Sequence, residues 1–585
     1  MFLVAVTRSP LESARFQGCT MESYQCPFFM VTFGHDGFFS HLTGEAGGLV
    51  MTQGLTPTAT GDQACFHLSL KKKNGGHVLS ISNPTSLRRF IYYTTNAQGE
   101  FFCSSHIGPL RAAGITIQED RDSLPEFMVY RHIVPPQSLF QGIRILPAGG
   151  TIEADIHNNC EPKVHFSLRD YFSSEKRALS DKDTREIQSR LRASLAKLRP
   201  YSPLYFQFSG GLDSSTLFAL GKEVLGNRDV YSTSYPFEAE ATNIEQEYSV
   251  SAARAFGATH HYYRSSNEEY LFAFLESIAK AEQPVDHLQS VMFNLLFKRE
   301  MNAGSGVIVS GTGADSIFGG ATQSKIFMLS KRPALYRVLS RPGMIRLMRA
   351  VSRLSGKGGK RIDFIEKMPR IHEDYEDPDN AVWDLSKYGS LDWVCQYYGV
   401  DKAKPIQNRL EMIRTIPGAS VFDVLSVLAV FASSDTVWSV LAESAAHLMY
   451  YPYCTESLIK TVLGIHWADK LAQPKNVLRK IAGEIGVPEF IITRKKSGFG
   501  VNPSRWATRG ALFEPLIGLC SRVFPEAELR RFQSTELNKA MTYWNILNYA
   551  LWKRIVINGE PVAELQGELR DRLRAGKRQD SNPQP

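Results

Sequence analysis

The stretch FQFSGGLDSSTLFAL at residues 206–220 constrains the fold of this chain more than any other feature. Its first residues are apolar and suit a buried parallel strand, whereas its last residues are apolar at helical spacing. Between them, Ser209-Gly210-Gly211 predicts a turn whose backbone can come close to a ligand. Because the first turn of a helix offers unpaired N–H groups to an anion, the stretch predicts a phosphate-binding loop.

The loop differs from two common phosphate-binding motifs. No lysine precedes its hydroxyls as in GxxxxGK[ST], and it lacks the GxGxxG pattern of dinucleotide folds. Asp213 would repel an anion unless a divalent cation lay between its carboxylate and the phosphates. A plain strand-to-helix turn is the alternative, but the density of glycine, hydroxyl and carboxylate favours a ligand site.

Three further segments narrow the interpretation: VIVSGTGADSIFGG (307–320), KNVLRKIA (475–482) and TRKKSGFGV (493–501). SGGLDSS resembles the pyrophosphate loop of ATP pyrophosphatases. The other three resemble the SGEGSDELFGG, KxxLR and RxKxGFG motifs of class B asparagine synthetases, in the same order. On these motifs the sequence is identified as a member of the asparagine synthetase superfamily. Its departures from the family pattern, described below, make it most similar to the lasso-peptide cyclases (macrolactam synthetases) of that superfamily.

Composition is that of an ordinary globular protein. The 585 residues are 43% hydrophobic and 22% charged, which allows two or three domains. Eight cysteines without a CxxC pair predict neither zinc nor a redox couple, so a cytoplasmic location is expected. No apolar run reaches the length of a membrane span, and neither a membrane nor nucleic acid is expected as a partner. The net charge of +8 suits an acidic partner such as ATP.

The predicted fold class is α/β, in two domains. Residues 1–165 resemble an N-terminal nucleophile (Ntn) hydrolase-like αββα glutaminase domain, and 166–200 are a linker and helix. Residues 201–560 are predicted to form a pyrophosphate-loop (PP-loop) synthetase domain with a parallel sheet flanked by helices, including strands at 204–208, 229–234 and 307–310. Residues 561–585 are predicted to be a frayed helix and disordered tail.

The glutaminase-like half is expected to be degenerate. Glutaminases of this kind use a cysteine at position 2, whose thiol is the nucleophile and whose α-amine is the base. This chain has Phe2, and its nearest cysteine is Cys19. The domain is therefore expected not to draw ammonia from glutamine.

The resemblance implies roles for individual residues. Asp213 and Asp315 would hold Mg²⁺ on the phosphates of ATP, and Lys496, with Lys495 as the alternative, would act on the reacting centre together with both aspartates. Lys475 and Arg479 would contact pyrophosphate. For Phe208, a role as a plain core residue of the strand is the alternative to nucleotide binding. The nucleotide-binding residues implied by position are Phe208, Ser209, Gly210, Gly211, Leu212, Ser214, Ser215, Ser310 and Gly311.

Two departures from the family pattern bear on the substrate. Thr312 stands where asparagine synthetases have glutamate and β-lactam synthetases have tyrosine, and a threonine hydroxyl is a poor base near neutral pH. The PFLD segment is altered to YYPYCTE at 450–456. The interpretation is an ATP-dependent, AMP- and pyrophosphate-forming amide ligase that closes a lasso-peptide macrolactam. Its precursor peptide would be the substrate, and a leader-binding protein and a leader peptidase would be its partners.

Other interpretations stay open. They are a β-lactam-type small-molecule cyclase, an ammonia-dependent asparagine synthetase and a non-catalytic nucleotide sensor. The segment 331–361, with ten Lys or Arg and no Asp or Glu, is predicted to be a solvated helical face or a docking surface for an acidic peptide or protein.

Overall fold

The structure is a computed structural model. It describes residues 1–8, 11, 20–25, 30–35, 40–45, 48–55, 65–73, 76–156, 160–172, 175–234, 244–355, 362, 365, 391–401, 404–414, 416, 420–431, 435–494, 514–531 and 537–580.

Three sheets contain the strands of the described residues. The strands are β1 (Phe2–Thr7), β2 (Thr20–Gln25), β3 (Met30–His35), β4 (Ser40–Glu45), β5 (Gly48–Gly54), β6 (Cys65–Lys73), β7 (Gly76–Ser82), β8 (Tyr92–Thr95), β9 (Phe101–Ser104), β10 (Arg144–Ile145), β11 (Thr151–Asp155), β12 (Pro162–His165), β13 (Leu204–Gln207), β14 (Val230–Ser234), β15 (His260–Arg264), β16 (Gly306–Val309) and β17 (His447–Tyr450).

Helices occupy most of the remaining described chain. They are α1 (Ile107–Ala112), α2 (Leu124–Tyr130), α3 (Asp181–Ala196), α4 (Leu212–Leu225), α5 (Ile244–Phe256), α6 (Asn267–Ala281), α7 (Leu288–Arg299), α8 (Ala314–Phe318), α9 (Ala321–Ser330), α10 (Pro333–Leu339), α11 (Pro342–Ser355), α12 (Leu391–Tyr398), α13 (Lys404–Arg414), α14 (Val421–Phe431), α15 (Thr436–Ser444), α16 (Glu456–Leu463), α17 (Trp467–Leu471), α18 (Asn476–Glu484), α19 (Glu489–Ile492), α20 (Glu514–Cys520), α21 (Glu526–Arg531), α22 (Leu537–Trp552) and α23 (Val562–Asp580).

The N-terminal part contains two antiparallel six-stranded sheets, ordered β10-β8-β9-β1-β3-β2 and β12-β11-β7-β6-β5-β4. Alternate residues of β1 face opposite sides, as strand geometry requires. Val4 and Val6 join Leu68 and Ile81 of the second sheet in one core, whereas Leu3 joins a core shared with helices of the C-terminal part. The first sheet is therefore packed on both faces. Assignment of this part to a glutaminase fold stays a prediction.

The C-terminal part contains the predicted parallel sheet with helices on both faces, ordered β15-β14-β13-β16-β17. The three strands predicted from the sequence are present as β13, β14 and β16, while β15 and β17 at the edges were not predicted. The chain runs outward from β13 to β15, then returns to β16 beside β13. The crevice between the carboxyl ends of β13 and β16 is thus a topological switch point, where α/β proteins bind ligands.

Residues 562–580 belong to the segment predicted to be a frayed helix and disordered tail, and the structure describes them as a helix. They form α23, in which Leu565 and Leu569 are fully buried. The helix packs against α20 and α6. The abundance of charged residues in VAELQGELRDRLRAGKRQD concealed Leu565 and Leu569, which are spaced four apart and therefore share one apolar helical face. Residues 581–585 lie outside the described part.

One segment, Val421–Ser444, is long and apolar enough for a membrane span by composition. However, 73% of its apolar window is buried inside the protein, as in core helices of globular proteins. It corresponds to α14 and α15, which pack beside the parallel sheet.

Candidate active site

The first loop of the site connects β13 to α4. Gly210 has φ +64°, and a Cβ there would lie 2.5 Å from the carbonyl oxygen of Tyr248, so only glycine fits. Gly211 caps α4 without a side-chain hydrogen bond, which leaves the first-turn N–H groups to a ligand. The Ser209 and Ser214 hydroxyls lie 3.3 Å apart at this helix start. The loop therefore has the features of an anion cradle.

The second loop, Ser310–Gly313, connects β16 to α8 and lies against the first. A Cβ on Gly311 would lie 3.2 Å from the backbone nitrogen of Ser214. Gly313 has φ +97°, which favours glycine. The Ser310 and Thr312 hydroxyls are hydrogen-bonded at 3.0 Å. Both loops border one cleft of about 430 Å³ at the switch point.

The two predicted metal-binding carboxylates converge on a single cation, the ammonium of Lys475. Its Nζ is hydrogen-bonded to Asp213 Oδ2 and lies 2.9 Å from Asp315 Oδ1. Lys475 has a left-handed backbone with φ +57° and donates its N–H to the carbonyl of Gly319. Its side chain is only 7% exposed, so the cation is held between the loops. Sequence reasoning assigned Lys475 to pyrophosphate and did not predict this pairing.

The donor set also fits Mg²⁺. The Oδ1 atom of Asp213 is buried and accepts no hydrogen bond from the described residues, so it has a lone pair available for a ligand. Tyr453 donates to the backbone oxygen of Asp213 and fixes this residue in place. In phosphate sites Mg²⁺ is usually held by one or two carboxylates, with phosphate oxygens and water as the other ligands. Asp213 and Asp315 meet that requirement.

Two arginines add positive charge to the cleft. Arg479, one turn into α18, donates to the carbonyl of Pro474, and burial lowers the pKa of its guanidinium despite the nearby Asp213. Arg494 stacks over the ring of Tyr248 at 3.5 Å and points a guanidinium nitrogen at the Gly210 carbonyl, 3.4 Å away. Arg494 belongs to the TRKKSGFGV motif, but sequence reasoning selected only its lysines.

The cleft extends over β13 and β14, where polar atoms lack partners. Gln207 Nε2 and Thr233 Oγ1 are buried without hydrogen bonds to described residues, and both residues line the cleft. Such atoms could form hydrogen bonds with the polar edge of a bound nucleobase. Phe208 borders this region, yet its ring packs against Phe218 at 5.6 Å. Phe208 is thus a core residue that also reaches the cleft, which combines both predictions for it.

The cleft is also lined by a charged group that the sequence did not reveal. Asp435 lines the cleft and pairs with Arg88 of the N-terminal part at 3.1 Å. His287 Nε2 lies 3.6 Å from the same carboxylate, and Arg131 is bonded to His287 Nδ1 at 2.9 Å. Burial and the nearby Arg131 hold the pKa of His287 well below its usual value. A lowered pKa favours the neutral form of His287, and the ion pair of this group is that of Arg88 and Asp435.

Most of the predicted site residues that the structure describes lie at the cleft, whereas Ser215 does not. Lys496 and its alternative Lys495 lie outside the described residues, so the role of Lys496 stays a prediction. Ser215 is fully buried and does not border the cleft, in contrast to Ser214. The N–H of Ser215 donates to the carbonyl of Gly211 at 3.0 Å, so it does not face a ligand in the loop. The remaining predicted residues lie along the cleft or in its loops: Ser209, Gly210, Gly211, Leu212, Asp213, Ser214, Ser310, Gly311, Asp315, Lys475 and Arg479.

The described cysteines offer no activated thiol. All six are buried. Burial raises the pKa of Cys65 to about 11 and also raises the pKa of Cys103 and Cys454. Phe2 lies buried in β1 and stacks on Phe66. Cys19 lies outside the described residues.

Comparison with protein families matches residues 186–542, more than half of the chain, to the family described as asparagine synthase. The matched residues include both loops, Lys475 and Asp435.

Comparison with individual proteins finds two kinds of relative. A Mycobacterium tuberculosis protein, named provisionally as a glutamine-hydrolysing asparagine synthetase, is 27% identical over 241 residues, covering 40% of this chain and 36% of the relative. The glutamine-hydrolysing asparagine synthetase 1 of Bacillus subtilis is 23% identical over 259 residues, covering 44% and 39%. The chain thus spans less than two fifths of the length of each relative.

Proposed function

The chain belongs to the asparagine synthase family, and we propose that it is an ATP-dependent ligase that adenylates a carboxylate and joins it to an amine. The observation that carries the proposal is the convergence of Asp213 and Asp315 on one cation, beside a glycine loop that begins a helix. An anion cradle combined with paired carboxylates suits a metal-bound triphosphate.

In the first step, a carboxylate oxygen of the substrate attacks the α-phosphorus of ATP, and the bond to the bridging oxygen breaks to release pyrophosphate. The first-turn N–H groups of α4, with Lys475, Arg479 and Arg494, hold the departing anion. Mg²⁺ bound by Asp213 and Asp315 would neutralise phosphate charge there. Lys496 is proposed to act on the reacting centre, as the family motif implies.

In the second step, the amine attacks the acyl carbon, AMP leaves, and the nitrogen loses a proton. The Thr312 hydroxyl cannot accept that proton usefully. Among the described residues that line the cleft, three carry carboxylates. Asp213 and Asp315 are paired with Lys475, which leaves Asp435. We assign to Asp435 the roles of binding the ammonium form and taking its proton. Arg88 and His287 position its carboxylate.

For the substrate, we propose the precursor peptide of a lasso peptide, closed through its own N-terminal amine and an Asp or Glu side chain. Support comes from Thr312 and from the lack of an activated thiol among the described cysteines, which leaves no route to ammonia from glutamine there. A leader-binding protein and a leader peptidase would act beforehand, and the reaction would take place in the cytoplasm.

The test incubates the protein with Mg²⁺-ATP and a leaderless peptide that has an N-terminal glycine and an internal acidic residue. We expect AMP and pyrophosphate, together with a peptide lighter by one water. Asp315→Asn should lower the rate by about 10²-fold or more, since it removes one of two metal ligands. The exposed Asp181→Asn on α3 should not.

A parallel incubation supplies aspartate with ammonia or glutamine. Asparagine as the product would overturn the peptide proposal and support an ammonia-dependent asparagine synthetase. No AMP release with a panel of carboxylates and amines, while ATP still binds, would favour the non-catalytic sensor and reject the ligase.

A further inference from the structure

The surface of α10 and α11 combines exposed apolar and basic side chains. On α11, Leu347, Val351 and Leu354 are spaced by four and three positions and therefore share one helical face. Leu354 is 90% exposed, and the other two are more than half exposed. On α10, Leu335 and Val338 are also exposed on one face. Exposed apolar residues grouped in this way mark an interaction site.

The charges on this surface have a single sign. Arg337, Arg341 and Arg346 are exposed beside the apolar residues. The whole segment 331–361 carries ten Lys or Arg and no acidic residue. A solvated helix face normally mixes both signs, and the apolar residues would not be on it. The pattern of arginines flanking an apolar face is that of helices lying in the plane of a membrane interface.

We propose that the α10–α11 surface, defined by Leu335, Val338, Leu347, Val351 and Leu354 with the three arginines, binds an anionic lipid surface. The apolar residues enter the boundary between headgroups and acyl chains, and the arginines contact lipid phosphates. This proposal reverses the expectation of no membrane partner, because a helix that lies in the interface needs no apolar run long enough to span a membrane. It does not depend on the proposed ligase activity.

An acidic protein partner is the other occupant that this charge would suit. Two observations favour lipid. A protein partner usually requires positive and negative charges at defined positions, whereas an anionic lipid surface requires only a net positive charge and an apolar helix face. In addition, neither α10 nor α11 has an acidic residue to set the register of a partner.

The test is co-sedimentation of the full-length protein with vesicles of phosphatidylglycerol and, separately, of phosphatidylcholine. We expect binding to the first and little to the second, and release at high salt because screening shortens the reach of the charges. Arg341→Gln combined with Arg346→Gln should weaken binding roughly thirtyfold, since each basic residue near an anionic surface contributes about a fivefold factor.

A second variant tests the apolar part while retaining the charge. Leu347→Gln combined with Leu354→Gln should weaken binding by about tenfold or more, because two apolar side chains no longer enter the lipid boundary. Matched controls are Lys182→Gln with Arg185→Gln, exposed on α3, and Val164→Gln, exposed on β12. These should bind as the wild type does. Thermal unfolding of each variant checks that it folds.

Three outcomes would overturn the proposal. One is no binding of the wild type to phosphatidylglycerol vesicles. Another is equal loss in the α3 control, which would show nonspecific charge attraction. The third is failure to bind vesicles combined with retention on immobilised poly-glutamate through the same arginines, which would assign the surface to an acidic protein.

Discussion

Single backbone conformations shape the two loops of the site. Gly210 needs a positive φ and also lies within contact distance of the Tyr248 and Ser249 backbone, so both strain and space require glycine. Lys475 adopts a left-handed conformation although it has a side chain. A non-glycine residue in that region costs about 1–3 kcal/mol and is often found at functional sites. Here the left-handed residue is Lys475, whose ammonium contacts both Asp213 and Asp315.

Gly210→Ala should disrupt the phosphate loop. The added Cβ meets backbone atoms that cannot move aside easily, so we expect a loss of about 2 kcal/mol or more in the free energy of unfolding. AMP release should fall with it. Gly483→Ala in α18, where a Cβ meets nothing within 4 Å, should be neutral or stabilise by about 0.5 kcal/mol. Urea unfolding monitored by tryptophan fluorescence measures both. Equal stability of the two variants would contradict the assigned strain.

At the scale of elements, helix starts and burial explain most of the site. α4 begins where the glycine loop ends, and its uncapped first turn gives the cleft its anion-binding end. α18 begins beside Lys475 and thereby places Arg479 one turn further along the same cleft. α23, far from the cleft, contributes two leucines to the core that also contains α6 and α7.

Leu569→Ala should destabilise the protein by about 2–5 kcal/mol, as expected for a fully buried leucine. In a disordered tail the same change would have no effect. Glu564→Ala, exposed in the same helix, is the matched control and should lie within about 0.5 kcal/mol of the wild type. Chemical denaturation supplies the measurement. A neutral Leu569→Ala would restore the prediction that this segment is disordered.

At the scale of the whole molecule, the N-terminal part contacts a residue that lines the cleft. Arg88 is buried and holds Asp435, and Arg89 pairs with Glu443 at 2.6 Å. Glu282 of the C-terminal part also accepts a hydrogen bond from the N–H of Gly108, which lies at the start of α1 in the N-terminal part. The N-terminal part thus supports the cleft through Asp435, although the described residues that line the cleft all come from the C-terminal part.

Arg88→Met should cost about 3 kcal/mol of unfolding free energy, because it leaves the partly buried Asp435 without its cation. The same change in an Asp435→Asn background should cost clearly less, since the unpaired charge is then absent. The double-mutant cycle, measured by urea unfolding, reports the coupling between the two parts. A coupling energy near zero would show that Arg88 does not hold Asp435.

The sequence by itself determined the two loops, three strands of the parallel sheet and the positions of both aspartates. These features are local: a strand, a glycine turn and a helix start lie within fifteen residues, and their chemistry is visible in the letters. The parallel order then places the ends of β13 and β16 together, so the convergence of Asp213 and Asp315 could also be anticipated.

Only the tertiary structure decided which cations and which distant segments of the chain surround those loops. Lys475 reaches Asp213 across 262 positions of the chain, and Arg88 reaches Asp435 across 347. No local pattern specifies such pairs, because burial of whole elements against one another brings them together. The edge strands β15 and β17 and the buried face of α23 have the same origin. Their sequences are short or charged, and packing against the rest of the molecule selects their conformation.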